Sequence, residues 1–230
     1  MFVFDRAFRL CSRAGRLFVF LLKSKDNMLK NIYKGKFIVF EGQDGSGQST
    51  QAKLSKEYLE SKNYFVVLTK EPTLDSEAGI KIREILDEKT KSDPADLQKL
   101  FSQDRKEHLD NLIISALKEN KIVISDRYFF SSFAFGSIDL DLDWLIEINN
   151  EFLIPDMTFI LDVKPEICIE RINKRGKKVT LFEKIEKLKK VRENYKKFPS
   201  MFENVYLIDG EKSIPEVFEQ IKKILDEKLN

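Results

Sequence analysis

Histidine occurs once in this chain of 230 residues, as His108, and cysteine twice, as Cys11 and Cys168. A multi-histidine zinc site is therefore excluded, and any His-centred triad would rest on a single residue. No CxxC or His/Cys ligand cluster is present. Two thiols in a chain that is 34% charged do not make a disulfide scaffold. They point to a reducing compartment, the cytoplasm. Net charge is nearly absent too, since 40 Lys and Arg face 38 Asp and Glu, leaving +2. No global basic field exists of the kind that dominates nucleic-acid binding, so nucleic acid is not an expected partner and acidic ligands must be held locally. Long apolar runs are also missing: Leu17 to Leu22 is far shorter than the roughly 20 residues of a membrane-spanning helix, so no transmembrane segment is expected. The chemistry left to this chain is that of carboxylates, Arg and Lys, and backbone amides.

Residues 1–35 differ in composition from the remainder of the chain. Within residues 1–25, Arg6, Arg9, Arg13 and Arg16 stand against one acid, Asp5, and alternate with Phe2, Phe4, Phe8 and Leu10. The segment reads as an amphipathic arm: an Arg-rich targeting peptide, a membrane-surface helix, or an upstream extension with Met28 as the working start, which is the favoured reading. Residues 36–230 are then expected to form one α/β domain, a length that suits a single buried core.

From Lys36 onward, short apolar runs alternate with longer amphipathic segments, the pattern of a parallel sheet covered by helices. The expected strands are Phe37–Phe40, Phe65–Thr69, Ile122–Ser125, Thr158–Asp162 and Val205–Ile208, each apolar on both faces as buried parallel strands require. The expected helices are 49–62, 77–89, 95–118, 140–153, 165–174, 181–197 and 213–228. No internal repeat or low-complexity linker interrupts them.

The first strand runs into Gly42-Gln43-Asp44-Gly45-Ser46-Gly47-Gln48-Ser49-Thr50, followed at once by a helical pattern. This is Gly-x4-Gly-x-Ser in the strand–loop–helix setting of a phosphate-binding loop. Glycines let successive N–H groups face one anion, and the helix N-terminus adds its partial positive charge. Ser49 stands where a hydroxyl would ligate Mg²⁺. Gln48 stands where the motif demands lysine. A unit charge about 4 Å from a phosphate oxygen, at an effective dielectric near 20, is worth about 4 kcal/mol, so another cation has to substitute. As a bare pattern the run also suits an ordinary glycine turn.

Four further blocks come after it in order: Lys70-Glu71-Pro72-Thr73; Leu100-Phe101-Ser102-Gln103-Asp104-Arg105-Lys106-Glu107-His108; Ser125-Asp126-Arg127-Tyr128 with Ser131, Ser132, Ala134 and Phe135; and the positive run from Arg171 through Arg175, Gly176, Lys177 and Lys178. Asp126 and Arg127 end a strand, so their side chains emerge at the carboxyl edge of the sheet, where such folds bind ligands. Asp126 suits a water-mediated Mg²⁺ contact and Arg127 suits phosphate oxygens, although an Asp–Arg pair also simply closes a strand. Phe101 and Arg105 are four apart on an expected helix and share one face. A ring there offers a base a stacking plane and the guanidinium a donor. The bland alternative is a core Phe beside a surface Arg. His108 reads as a surface or helix-packing histidine rather than a base.

Together these blocks resemble the thymidylate kinase family of P-loop nucleoside monophosphate kinases, from about Gly35 to the C-terminus. The resemblance implies a three-layer P-loop NTPase fold with a five-stranded parallel sheet flanked by helices, Mg·ATP on Gly42–Thr50 with Arg171 beside it, and dTMP as acceptor. It assigns Asp44, Arg127 and Arg175 to catalysis, Ser49 and Asp126 to the metal, and Asp44, Lys70, Phe101, Arg105, Arg127 and Ser132 to dTMP. Residues 171–183 become the lid, whose cations replace the loop lysine. Lys70 stands where bacterial relatives have arginine, keeping the charge but losing the fork. At Gly136 many of them carry a pyrimidine-bonding glutamine. A homodimer through the helix around 98–118 is also implied. Three rivals stand beside this reading: a catalytically silent nucleotide-binding relative, motivated by Gln48; a kinase for another nucleoside monophosphate, motivated by Gly136 and Lys70; and a membrane-associated interaction protein using the N-terminal arm.

Overall fold

The structure is a computed structural model that describes residues 28–174 and 181–229. The N-terminal arm, Cys11, and the lid cations Arg175, Lys177 and Lys178 lie outside the described residues. Lys36–Gly42 forms the central strand β2, following a short β1 at Leu29–Lys30. Around it run β3 (Val66–Lys70), β4 (Ile122–Asp126), β6 (Met157–Asp162) and β7 (Val205–Asp209), giving a five-stranded parallel sheet ordered β3-β4-β2-β6-β7.

Alternation along β2 explains the three layers. Phe37 and Val39 point into one apolar cluster and Ile38 and Phe40 into another, all four with no exposed surface. Each such side chain contributes about 1.5–3 kcal/mol by leaving water. The second cluster is closed by α1 (Gln48–Ser61) and by α9 (Ile214–Leu229), whose Val217, Ile221 and Leu225 form one buried stripe. The first is closed by α4 (Ile114–Lys118), α5 (Phe129–Gly136), α6 (Leu142–Glu147) and α8 (Leu181–Met201), with α3 (Pro94–His108) packed on α5. Beside them lie α2 (Glu77–Leu86) and α7 (Pro165–Lys174).

The expected strands match within two residues, and the departures have local causes. α5 was not expected, because Phe129-Phe-Ser-Ser-Phe-Ala-Phe-Gly136 carries no polar stripe; it is a helix whose residues are mostly buried. The expected helix 140–153 stops at Glu147, and its far end becomes β5 (Leu153–Ile154), which pairs in parallel with β1. The expected helix 95–118 contains a π turn at Leu109–Ile113. Met28–Gly35, which composition groups with the extension, packs on the domain: Met28 is buried, Leu29 N donates to Phe152 O, and Asn31 Nδ2 donates to Asp156. Among the described residues, no helix is long and apolar enough to cross a membrane.

Candidate active site

The glycine-rich run leaves β2 at the carboxyl edge of the sheet and enters α1 through Gly47, whose φ is 100°. Gly42 has φ 149°, and a Cβ there would sit 2.6 Å from Ser46 Oγ and 3.2 Å from Gln48 Oε1. Only glycine leaves room for both side chains to fold under the loop. Gln48 is accordingly buried, its Oε1 accepting from Ser46 Oγ at 3.1 Å. Gln43 is turned away from the loop interior, with Nε2 donating to Leu188 O of α8 at 2.7 Å. The loop is thereby tied to the helix that comes after segment 175–180.

Sheet register assembles the next group. Phe40 of β2, Asp126 of β4 and Lys70 of β3 are lateral partners, so the two charged residues reach the edge side by side, next to the loop. Asp126 Oδ2 accepts from Ser49 Oγ at 2.5 Å and from Lys70 Nζ at 2.8 Å, while its buried Oδ1 has no partner. One hydroxyl, one carboxylate and an orphaned oxygen fit Mg²⁺, a hard ion that keeps waters and substrate phosphates in its shell. No group of three or more His, Cys, Asp or Glu suited to a metal occurs among the described residues. The ion would therefore rest chiefly on Ser49, Asp126 and ligand oxygens.

Arg127 occupies the left-handed region at φ 79°, uncommon for a residue with a Cβ. Arg127 N donates to Phe40 O, and Ser125 Oγ donates to Arg127 O at 2.7 Å, which fixes this conformation. Its guanidinium donates to Asp44 Oδ1 at 2.7 Å and to Ser131 Oγ at 2.9 Å, and lies over the Phe135 ring. Burial opposes the charge, but Asp44, Tyr195, Glu41 and Asp126 together hold the guanidinium pKa above its ordinary value. Glu41, immediately before Gly42, is fully buried and accepts from Ser131 and Tyr195, and burial pushes its pKa up to about 7.

On α3, Phe101 is half-buried and Arg105 is fully buried. The surface-Arg alternative is therefore set aside. Arg105 Nε donates to Glu71 at 2.9 Å and Nη1 to Asn149 at 2.5 Å, whereas Nη2 reaches Ser132 Oγ only at 3.4 Å. Nη2 is thus the loosely engaged end of the fork. His108 is buried in the same network, with Nδ1 3.2 Å from Glu71 and Nε2 2.7 Å from Thr69 Oγ1, a packing role. At Gly136 an added Cβ would lie 2.9 Å from Leu145 Cδ1 of α6 and 3.3 Å from the Gln98 carboxamide carbon of α3, so both helices crowd that position.

Arg171 of α7 donates to Ser46 O at 3.2 Å and to Gly210 O at 3.0 Å, bridging the loop and the turn after β7. It lines an open cleft of about 380 Å³ with Gly47, Thr50, Gly210 and Ile214. That volume falls in the range of small-molecule sites. Sequence reasoning missed Glu41, Glu71 and Asn149, because buried carboxylates and amides carry no spacing signal. Arg192 was missed as well; it forms a two-pronged pair with Asp162 at 2.5 and 2.9 Å beside the loop.

A family model described as thymidylate kinase matches residues 40–221. Among curated proteins, the chain is 43% identical over 203 residues to a probable thymidylate kinase of Pyrococcus horikoshii, covering 85% of this chain and 98% of that one. It is 38% identical over 203 residues to a thymidylate kinase of Caldicellulosiruptor saccharolyticus, again 85% and 98%. A probable thymidylate kinase 1 of Saccharolobus solfataricus is 41% identical over 196 residues, 84% and 98%.

Proposed function

Because the chain belongs to the thymidylate kinase family, we propose that it transfers the γ-phosphoryl group of ATP to dTMP, giving dTDP and ADP. The observation that carries this reading is the convergence of Ser49, Asp126, Lys70 and Arg127 at one edge of the sheet, with the Arg171 cleft and the Phe101–Arg105 face beside it. Loop N–H groups from Gly42 to Thr50 and the α1 N-terminus cradle the ATP phosphates, and the base lies in the Arg171 cleft. Ser49 and Asp126 would hold Mg²⁺, which would neutralise phosphate charge. Lys70 leaves Asp126 for the acceptor phosphate, and Arg127 leaves Asp44 for phosphate oxygens, freeing Asp44 toward the acceptor sugar. Phe101 stacks on thymine while Arg105 Nη2 and Ser132 reach its edge. No general base is needed, since the acceptor phosphate is already an anionic nucleophile and catalysis is positioning plus charge neutralisation. Arg175, outside the described residues, is the further cation of this scheme. The working unit is a homodimer through the α3–α4 rod, where Leu112 is exposed, and its compartment is the cytoplasm.

The test is a coupled ADP-release assay with Mg·ATP against dTMP, dUMP, dCMP, dGMP and dAMP. dTMP is expected to give the highest kcat/KM. Preference for another acceptor, or no turnover, overturns the reading.

A further inference from the structure

Glu41 is buried at the end of the central strand, beside the phosphate loop, and has no part in the scheme above. Its carboxylate gathers donors from two elements. Oε1 accepts from Tyr128 N at 2.8 Å and Ser131 N at 3.2 Å, both at the start of α5. Oε2 accepts from Ser131 Oγ at 2.6 Å and from Tyr195 OH of α8 at 2.9 Å. Ser131 Oγ has one proton, given to Glu41, so its lone pairs are turned to Arg127 Nη1 at 2.9 Å.

We propose that Glu41 is a positioning residue for Arg127, holding its guanidinium through the Ser131 hydroxyl and linking it through Tyr195 to α8. The proposal rests on the reading of Arg127 as a phosphate-binding residue. Protonation exposes the dependence. Oε1 faces two backbone N–H groups, so an added proton goes to Oε2 and is donated to Ser131 Oγ, the nearer partner at 2.6 Å against 2.9 Å for the Tyr195 hydroxyl. The serine hydroxyl reverses, and Arg127 loses both a well-aimed acceptor and the negative charge it faces. The other groups in this cluster are Tyr128 just before α5, Tyr195 on α8, and Asp44 and Asp126, which face Arg127 from the loop and from β4. Burial brings ionisation of Glu41 to about 7, so the arrangement responds across the neutral range.

The experiment tracks the Arg127 side-chain Nε–H signal by NMR in the full chain without nucleotide, assigned by its loss in Arg127→Lys. The signal is expected to shift with an inflection near neutrality. In Glu41→Gln the inflection disappears, and in Tyr195→Phe it moves to higher pH, because the carboxylate loses a donor. Glu41→Gln and Ser131→Ala are each expected to lower kcat/KM for dTMP roughly tenfold to a hundredfold, the scale of a misplaced binding group. Should Glu41→Gln fail to fold, Ser131→Ala decides by the same kinetics and by a displaced Arg127 signal. Wild-type Arg127 signal and wild-type kcat/KM in the folded variants overturn the proposal. Absence of dTMP turnover by the unmodified protein overturns the kinase reading instead, and leaves the NMR result to judge Glu41 separately.

Discussion

Lys70 shows how one residue takes its meaning from a neighbour that sequence order hides. Lys70 and Asp126 are 56 positions apart, yet register makes them lateral partners and brings Nζ to 2.8 Å from a carboxylate suited to a metal. In the proposed site a lysine and a divalent ion would therefore compete for Asp126. Lys70→Met is expected to tighten Mn²⁺ binding to the nucleotide-free protein, read by electron paramagnetic resonance. The pair is half-exposed on the lysine side, so solvent screening limits the gain to about 1 kcal/mol, or roughly fivefold. The same change is expected to raise the KM for dTMP. Phe101→Ala tests the stacking face: loss of about 1–3 kcal/mol of stacking predicts a KM for dTMP raised at least several-fold, with the KM for ATP unchanged in steady-state kinetics. The places of Phe101 on α3, Arg127 after β4 and Ser49 at the start of α1 were legible because strand ends and helical spacing announce them. Glu71 and Asn149 were not, since whether a polar side chain is buried against Arg105 depends on packing across distant segments.

Among the elements, legibility tracked periodicity. Strands surfaced as short apolar runs, and α9 as a clean stripe, because burial of one face leaves a repeat in the sequence. α5 left none, being buried nearly all round, and the β1–β5 pair is too short to carry a pattern. Helix ends depend on single side chains. Asp93 Oδ1 accepts from Ala95 N at 2.8 Å, and Pro94 stands at the first helical position of α3. Asp93→Ala is expected to cost about 1 kcal/mol and, for a chain of this size, to lower Tm by roughly 2–4 °C in a thermal scan. Phe101 and Arg105 lie turns away from this end, so kcat is expected to hold.

For the whole molecule, the buried Glu41 sets a sign for the dependence of stability on pH. Its pKa is raised from 4.5 to about 7 on folding, so between those values the folded chain binds the proton more tightly than the unfolded chain. Its favourable contribution is complete at acid pH, falls as pH rises toward 7 and is lost above it, amounting to roughly 3 kcal/mol by linkage. Urea unfolding across this range is expected to show a flatter pH dependence in Glu41→Gln than in the unmodified protein. The sheet itself has a further consequence. Ser49, Lys70, Asp126 and Arg127 stand at the carboxyl ends of the strands, whereas Met28, Leu29 and Asn31 are held against Phe152 and Asp156, at the opposite rim. A protein anchored to a bead or sensor surface through a group placed at the exposed Ile32, on this opposite rim, would face outward with its mouth clear, and its turnover there is expected to equal that of the free enzyme.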